Sequence, residues 1–226
     1  METELETLKD PNKESERLEA DIQKSSNDYL EVAKKITLRR SKKAKVLSQE
    51  VSSLVQELGM EGGRLEITLD PIDENSFARS GLETIRFQVS TNAGQPLQAL
   101  NKIASGGELS RISLAIQVVL ANSAPVNTLV FDEVDIGIGG GVANIVGDKL
   151  KQLGQHRQIL CVTHLPQVAA KGDDHFRVMK NSNSDISVTV EHLTSNQRVE
   201  EIARMTGGTK ITAESRAHAE QLIGAA

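Results

Sequence analysis

The chain has 226 residues, 38% hydrophobic, 25% charged and only 2% aromatic, with a formal net charge of -5. That balance excludes a global basic footprint for nucleic acid, and the shortage of aromatics argues against a base-stacking platform, so any DNA contact must be local. A single cysteine, Cys161, excludes an internal disulfide framework. No apolar run approaches the length of a membrane span, and the polar, acidic start does not look like a signal peptide, so a cytoplasmic protein is expected.

Residues 1–60 contain no glycine before Gly59 and one proline, Pro11. Leu18, Ile22, Ser25, Tyr29, Val32 and Ile36 step by 4, 3, 4, 3, 4, and Leu47, Val51, Leu54 and Leu58 by 4, 3, 4. This is a heptad seam in two pieces, out of register with one another across Lys34–Lys45. A continuous helix over 13–58 would be about 69 Å long and needs a partner strand; the plainer alternative is a surface helix packed on the domain. The break holds seven basic residues and no acidic one: Lys34, Lys35, Arg39, Arg40, Lys42, Lys43 and Lys45. Such a cluster can grip DNA phosphates without reading sequence, or simply be a solvated face.

Gly59, Gly62 and Gly63 end the helix. Arg64–Leu69 and Thr84–Val89 alternate as half-buried strands, with loop at 70–80 and a turn at 92–96. Ser105-Gly106-Gly107-Glu108 then opens the apolar run to Leu120. Ser105 and Glu108 have capping-box spacing, so Ser105 is the expected N-cap of a largely buried helix. Its free N–H groups and flanking glycines favour a phosphate, although a well-capped core helix explains the same residues.

Asn127–Phe131 reads as a buried strand delivering Asp132-Glu133 at its C-terminal end, where open α/β sheets place ligands. Gly137–Gly141 and a helix over 142–153 follow. Gln158–Thr163 is a second buried strand, ending in His164, and Leu165–Ala170 opens another helix. A strand pair is expected at 174–180 and 186–192 around a polar turn, and helices at 197–206 and 213–223. The 64–226 region thus reads as an α/β sheet sandwiched by helices. An adjacent Asp-Glu pair can divide the work of a phosphate site, one carboxylate serving Mg²⁺ and the next activating a water. Cys161, inside Ile159–Val162, reads as a small hydrophobe rather than a nucleophile.

Together these strings resemble the C-terminal lobe of an ABC-type ATPase head of the SMC kind. Ala104–Glu108 resembles its signature motif, Thr128–Glu133 its Walker B strand with catalytic glutamate, Val134-Asp135 its D-loop, and His164 its switch histidine. Ala104–Arg111, Phe131–Ile138 and Cys161–Ala169 are closer still to the members of that group that repair bacterial DNA double-strand breaks. The resemblance implies an α/β fold class with an N-terminal coiled-coil helix, a coil arm over 1–60 and an ATPase lobe over 61–226. It implies ATP and Mg²⁺ as cofactors: Asp132 for the metal, Glu133 as general base, His164 at the γ-phosphate, and Ser105, Gly106, Gly107 and Glu108 capping a partner head's nucleotide. Asp135 would couple the two sites of a homodimer closed around ATP, with DNA as the further partner.

One departure stands out: no G-x-x-x-x-G-K-[ST] occurs. Gly141 to Lys149 has the wrong spacing and suits a helix. The resemblance implies that the Walker A lobe lies outside this chain, which alone should bind ATP poorly. A coiled-coil DNA-tethering scaffold without catalysis is the rival reading. A dinucleotide site on Gly137–Gly141 lacks the fingerprint spacing, and one Cys with five scattered His disfavours zinc.

Overall fold

The computed structural model describes residues 11–73, 76–103, 105–121, 126–181, 187–208 and 211–224. Ala104 and most of the 181–185 turn lie outside them, as do residues 1–10. By internal contacts the chain forms two units, 1–48 with 66–88, and 49–65 with 89–226.

The first unit carries most of helix α1, Pro11–Glu57, which runs unbroken through the phase slip. It also holds most of strands β1, Arg64–Pro71, and β2, Glu83–Ser90, neighbours in a sheet of order β1-β2-β3. Its interior is small. Tyr29 stands edge-on to Phe77 at 5.3 Å and donates to Ala78 O at 3.0 Å. The buried Glu83 accepts from Arg40 at 2.8 Å and from Thr37 at 2.7 Å. Burial pushes the Glu83 carboxyl up, but the hydrogen bonds from Arg40 and Thr37, with the Arg40 charge, outweigh it and leave the group below its ordinary range. The alternation in β2 buries its apolar side only at Val89, while Ile85 and Phe87 are exposed.

The second unit holds the core. The two seam pieces of α1 have different fates: Leu18, Ile22, Val32 and Ile36 are exposed, whereas Val51, Leu54 and Leu58 are buried. A stripe that serves a different neighbour need not keep the heptad phase, which accounts for the slip. After β3, Gln98–Ala99, and a 3₁₀ turn, Leu100–Lys102, comes α2, Gly106–Val119. Ile112, Leu114 and Ala115 of α2 are buried, and its last turn is half-buried.

Strand β4, Thr128–Phe131, pairs in parallel with β5, Gln158–Cys161, from Thr128↔Gln158 to Phe131↔Cys161. The crossover is α3, Gly140–Gly154, which packs on α2, β5 and the short α4, Pro166–Ala169. Gly147 lies inside α3 and is a packing residue: a Cβ there would stand 2.8 Å from Lys171 Cγ and 3.1 Å from Gln167 O. The phosphate-loop lookalike is therefore helix, as its spacing indicated.

The expectation of two fully buried strands is corrected. Val130 is 67% exposed, Leu160 47% and Val162 62%, so the outer face of the β4-β5 pair is bare. Parallel strands normally have both faces covered, and the described residues cover one. A single sandwiched sheet is likewise not formed among the described residues; there are three small sheets. The third pairs β6, Phe176–Asn181, antiparallel with β7, Ser187–His192. Helices α5, Ser195–Gly207, and α6, Ala213–Gly224, close a cluster of Ala169, Ala170, Ile202, Ala203 and Ala219. Thr194 and Gln197 form a reciprocal capping box at the start of α5.

Cys161 is half-buried, and burial, with the Asp135 and Asp132 carboxylates adding to it, pushes its thiol up to about 12. At pH 8 its thiolate is then scarcer than that of a free cysteine by roughly three orders of magnitude. A neutral thiol reagent should leave Cys161 unmodified on the folded chain and label it after denaturation; mass spectrometry before and after urea checks this.

Removing the Arg40 guanidinium leaves the buried Glu83 without its cation. Arg40→Ala should destabilise the protein by about 3 kcal/mol near neutral pH, read by urea titration. The depressed carboxyl contributes stability present above the ordinary glutamate pKa and lost as the pH falls through its folded value. The gap between Arg40→Ala and wild type should therefore close in acid; a gap unchanged from pH 7 to pH 3 would count against the pair.

Candidate functional site

The site is built where α2 begins and β4 ends. Ser105, extended at φ −95° and ψ 120°, caps α2 by accepting from Glu108 N at 3.3 Å. Gly106 and Ser105 are exposed, Gly107 is buried and Glu108 half-buried. β4 runs straight into the turn 132–136, closed by Ile136 N donating to Glu133 O at 3.2 Å. Within that turn Glu133 adopts φ 60°, a left-handed conformation that a side-chain-bearing residue enters at a cost.

The helix start and the turn are pressed together. A Cβ on Gly107 would stand 3.1 Å from Glu133 O and 3.2 Å from Ile136 O, and one on Gly106 would collide with the Glu133 carboxylate. Only glycine permits this approach without displacement. Two side chains one turn further along α2 secure it. Ser110 donates to Asp132 O at 2.6 Å. Arg111, buried, donates to Ile136 O at 2.8 Å and approaches Val134 O at 3.5 Å. Its Nε has no hydrogen-bond partner among the described residues, and burial lowers its pKa, partly countered by the Glu108 charge.

The three acids of the turn sit in unlike surroundings. Asp132 and Glu133 are exposed. Asp135 is only 1% exposed. Its Oδ2 accepts from Thr163 Oγ1 at 2.5 Å, His164 N at 3.0 Å and Leu165 N at 3.2 Å. His164 Nδ1 lies 3.3 Å from Asp135 Oδ1, while the His164 side chain is 64% exposed. β5 delivers these residues, and Val162 N continues the pairing by donating to Phe131 O at 2.9 Å.

The fold thus brings together Ser105, Gly106, Gly107, Asp132, Glu133, Asp135 and His164 in the second unit. It places the basic residues elsewhere, on the part of α1 in the first unit. There Arg40 is engaged by Glu83, and Lys35 pairs with Glu31 at 2.5 Å; Lys34, Arg39, Lys42, Lys43 and Lys45 are exposed. Sequence reasoning assigned no role to Ser110, Arg111 and Thr163. For Arg111 a signal existed: it shares the buried stripe 107, 111, 114 and 115, where a cation requires a partner.

Among the described residues no three His, Cys, Asp or Glu side chains gather into a metal cage. A lone exposed carboxylate such as Asp132 nevertheless suits Mg²⁺, which keeps several waters and takes its remaining oxygens from phosphates.

No protein-family model matches the chain. It is 46% identical over 224 residues to the DNA repair protein RecN of Xylella fastidiosa (strain 9a5c), covering 99% of this chain and 40% of that protein. It is 43% identical over 199 residues to the DNA repair protein RecN of Vibrio cholerae, covering 88% of this chain and 36% of that protein. Among solved structures it matches an Smc head domain with a coiled coil and joint from Pyrococcus yayanosii, with a TM-score of 0.60 and 22% identity over 91% of this chain and 37% of that one. The chain spans about two fifths of the length of the curated relatives it matches. Over nearly its whole length the chain is therefore similar to about two fifths of the RecN DNA repair proteins, and its fold matches part of an Smc head domain.

Proposed function

We propose that this chain supplies the signature and Walker B half of an ATPase head acting in recombinational repair of DNA double-strand breaks. The observation that carries the reading is the packed junction of the glycine-rich α2 start with the Asp132–Ile136 turn, beside His164. It gathers on one surface a helix N-terminus suited to phosphate, two exposed carboxylates and an exposed imidazole.

In this reading Asp132 holds Mg²⁺, and ATP supplies the phosphoryl group to be hydrolysed. Glu133 accepts a proton from the attacking water, and the exposed His164 ring contacts the terminal phosphate. The N–H groups at Ser105–Glu108 face the nucleotide held by a second head, so two copies close around two nucleotides. The Walker A lobe comes from polypeptide outside the 226 residues, and the bare face of Val130, Leu160 and Val162 is where it seats. The exposed stripe Leu18, Ile22, Val32 and Ile36 marks α1 as one strand of a coiled coil, the arm that carries head closure to DNA. Lys34, Arg39, Lys42, Lys43 and Lys45 are its free phosphate contacts.

Mixing the chain with a Walker A lobe should produce ATP turnover that neither gives alone. In that assembly Glu133→Gln should keep ATP binding and lower kcat by at least about 100-fold, the contribution of a general base. Dimers trapped with ATP should appear by light scattering. Wild-type turnover in Glu133→Gln would remove Glu133 from the chemistry.

A charge on the bare sheet face should separate association from folding. Leu160→Glu is expected to leave the circular dichroism of the isolated chain unchanged and to shift its melting little, because Leu160 is 47% exposed and a longer side chain there can reach water. It should weaken pull-down of the Walker A lobe by on the order of tenfold or more, since a buried unpaired carboxylate is costly. Unaltered pull-down would place the lobe elsewhere.

A further inference from the structure

Asp135 follows Glu133 by two residues, yet it faces away from water. Its Oδ2 is already saturated by the Thr163 hydroxyl and the N–H groups of His164 and Leu165. The Thr163 oxygen also accepts from Leu165 N at 3.1 Å, so hydroxyl and carboxylate fix one another. The second carboxylate oxygen, Oδ1, is left 3.3 Å from His164 Nδ1. No hydrogen bond forms to His164 Nε2 among the described residues, and the ring is otherwise exposed.

We propose that Asp135 is a positioning residue for His164, gripping the segment after β5 through Oδ2 and the ring's Nδ1 edge through Oδ1, with Thr163 fixing the carboxylate. An ionised carboxylate only accepts, so it places a proton on Nδ1 and leaves Nε2 as the working edge. A phosphate oxygen arriving at Nε2 would meet a ring whose opposite edge is already held by a carboxylate. The inference rests on the reading of His164 as the group that meets a terminal phosphate, but the tether itself does not depend on nucleotide.

The same contacts give the tether reach. Arg111 holds Val134 O and Ile136 O, the carbonyls on either side of Asp135. The start of α2 is thereby linked through Arg111 and Asp135 to His164 inside one chain. A helix that caps a partner's nucleotide would be in mechanical contact with the histidine that reads its own.

The decisive substitution is Asp135→Asn. Three donors converge on Oδ2, so the asparagine carbonyl must occupy that place, and its NH₂ then faces His164 Nδ1. An N–H donor there demands a lone pair on Nδ1 and drives the proton to Nε2. In the 226-residue chain labelled with ¹⁵N-histidine, the His164 signals, assigned by their loss in His164→Gln, should report an Nδ1–H ring in wild type and an Nε2–H ring in Asp135→Asn. The same tautomer in both would overturn the proposal. If Asp135→Asn fails to fold, Thr163→Val and Thr163→Ser replace it. The valine should broaden or shift the His164 signals and the serine restore them; indistinguishable signals overturn the tether.

With the Walker A lobe present, Asp135→Asn should lower kcat by on the order of tenfold with little change in ATP KM, the scale of effect carried by partners that orient functional histidines. A tautomer change with wild-type turnover keeps the tether and overturns the role of His164 at phosphate. An unchanged tautomer, alongside loss of turnover in Glu133→Gln, overturns the tether and leaves the ATPase reading standing.

Discussion

The close approach of the α2 start to the turn 132–136 is the constraint on which the site depends. A methyl group on Gly107 would stand 3.1 and 3.2 Å from two carbonyls, which would have to give way, and Gly106 gives its space to the Glu133 carboxylate. The turn itself is strained, since Glu133 at φ 60° costs about 1–2 kcal/mol. Ser110 and Arg111 hold three of its carbonyls and offset that strain with charge-assisted and hydroxyl hydrogen bonds. Arg111 is an unusual choice for the purpose. Among the described residues it is bonded to carbonyls and to no carboxylate, and its Nε is unpartnered. A lysine cannot span two carbonyls from a planar fork, and an apolar residue would leave the carbonyls bare. The position therefore tolerates few substitutions for reasons of local geometry alone.

How much of this was legible in the sequence depended on range. The α2 start was, because capping is local chemistry: Ser105 and Glu108 sit three apart, and the cap forms as their spacing requires. All the strands but the two-residue β3, Gln98–Ala99, were located within two residues for the same reason. Their burial was misjudged, because an apolar run says that a face wants cover without saying whether this chain provides it. Val130 and Leu160 look like core by composition and are surface here. Asp135 was recognised as an acid after Asp-Glu, but its environment is made by residues 28 to 30 positions away, which no local pattern encodes.

The long helix teaches the same lesson within one element. Its phase slip was visible in the sequence as a break between two heptad pieces. The explanation was not, because it lies in what each piece touches. Val51, Leu54 and Leu58 are fixed by the core of the second unit, while Leu18, Ile22, Val32 and Ile36 are exposed. The basic run between them is similarly divided. Arg40 is engaged by the buried Glu83, and the neighbouring cations are in solvent. Composition alone could not separate the arginine that holds structure from the lysines that do not.

The acids of the turn show how a fold sorts identical chemistry. Asp132, Glu133 and Asp135 lie within four residues and carry the same functional group. Asp132 has its carboxylate exposed, and Ser110 donates to its backbone oxygen rather than to the side chain. Glu133, at a left-handed backbone position, is exposed, and its carboxylate lies where a Cβ on Gly106 would otherwise stand. Asp135 is turned inward and surrounded by donors from a different strand. A carboxylate with three donors on one oxygen is rigid and has little left to offer a ligand, whereas one in water can bind a cation or accept a proton. The path of the backbone through this turn, two exposed residues followed by two buried ones, thus decides which acids can do chemistry and which one holds the histidine beside them.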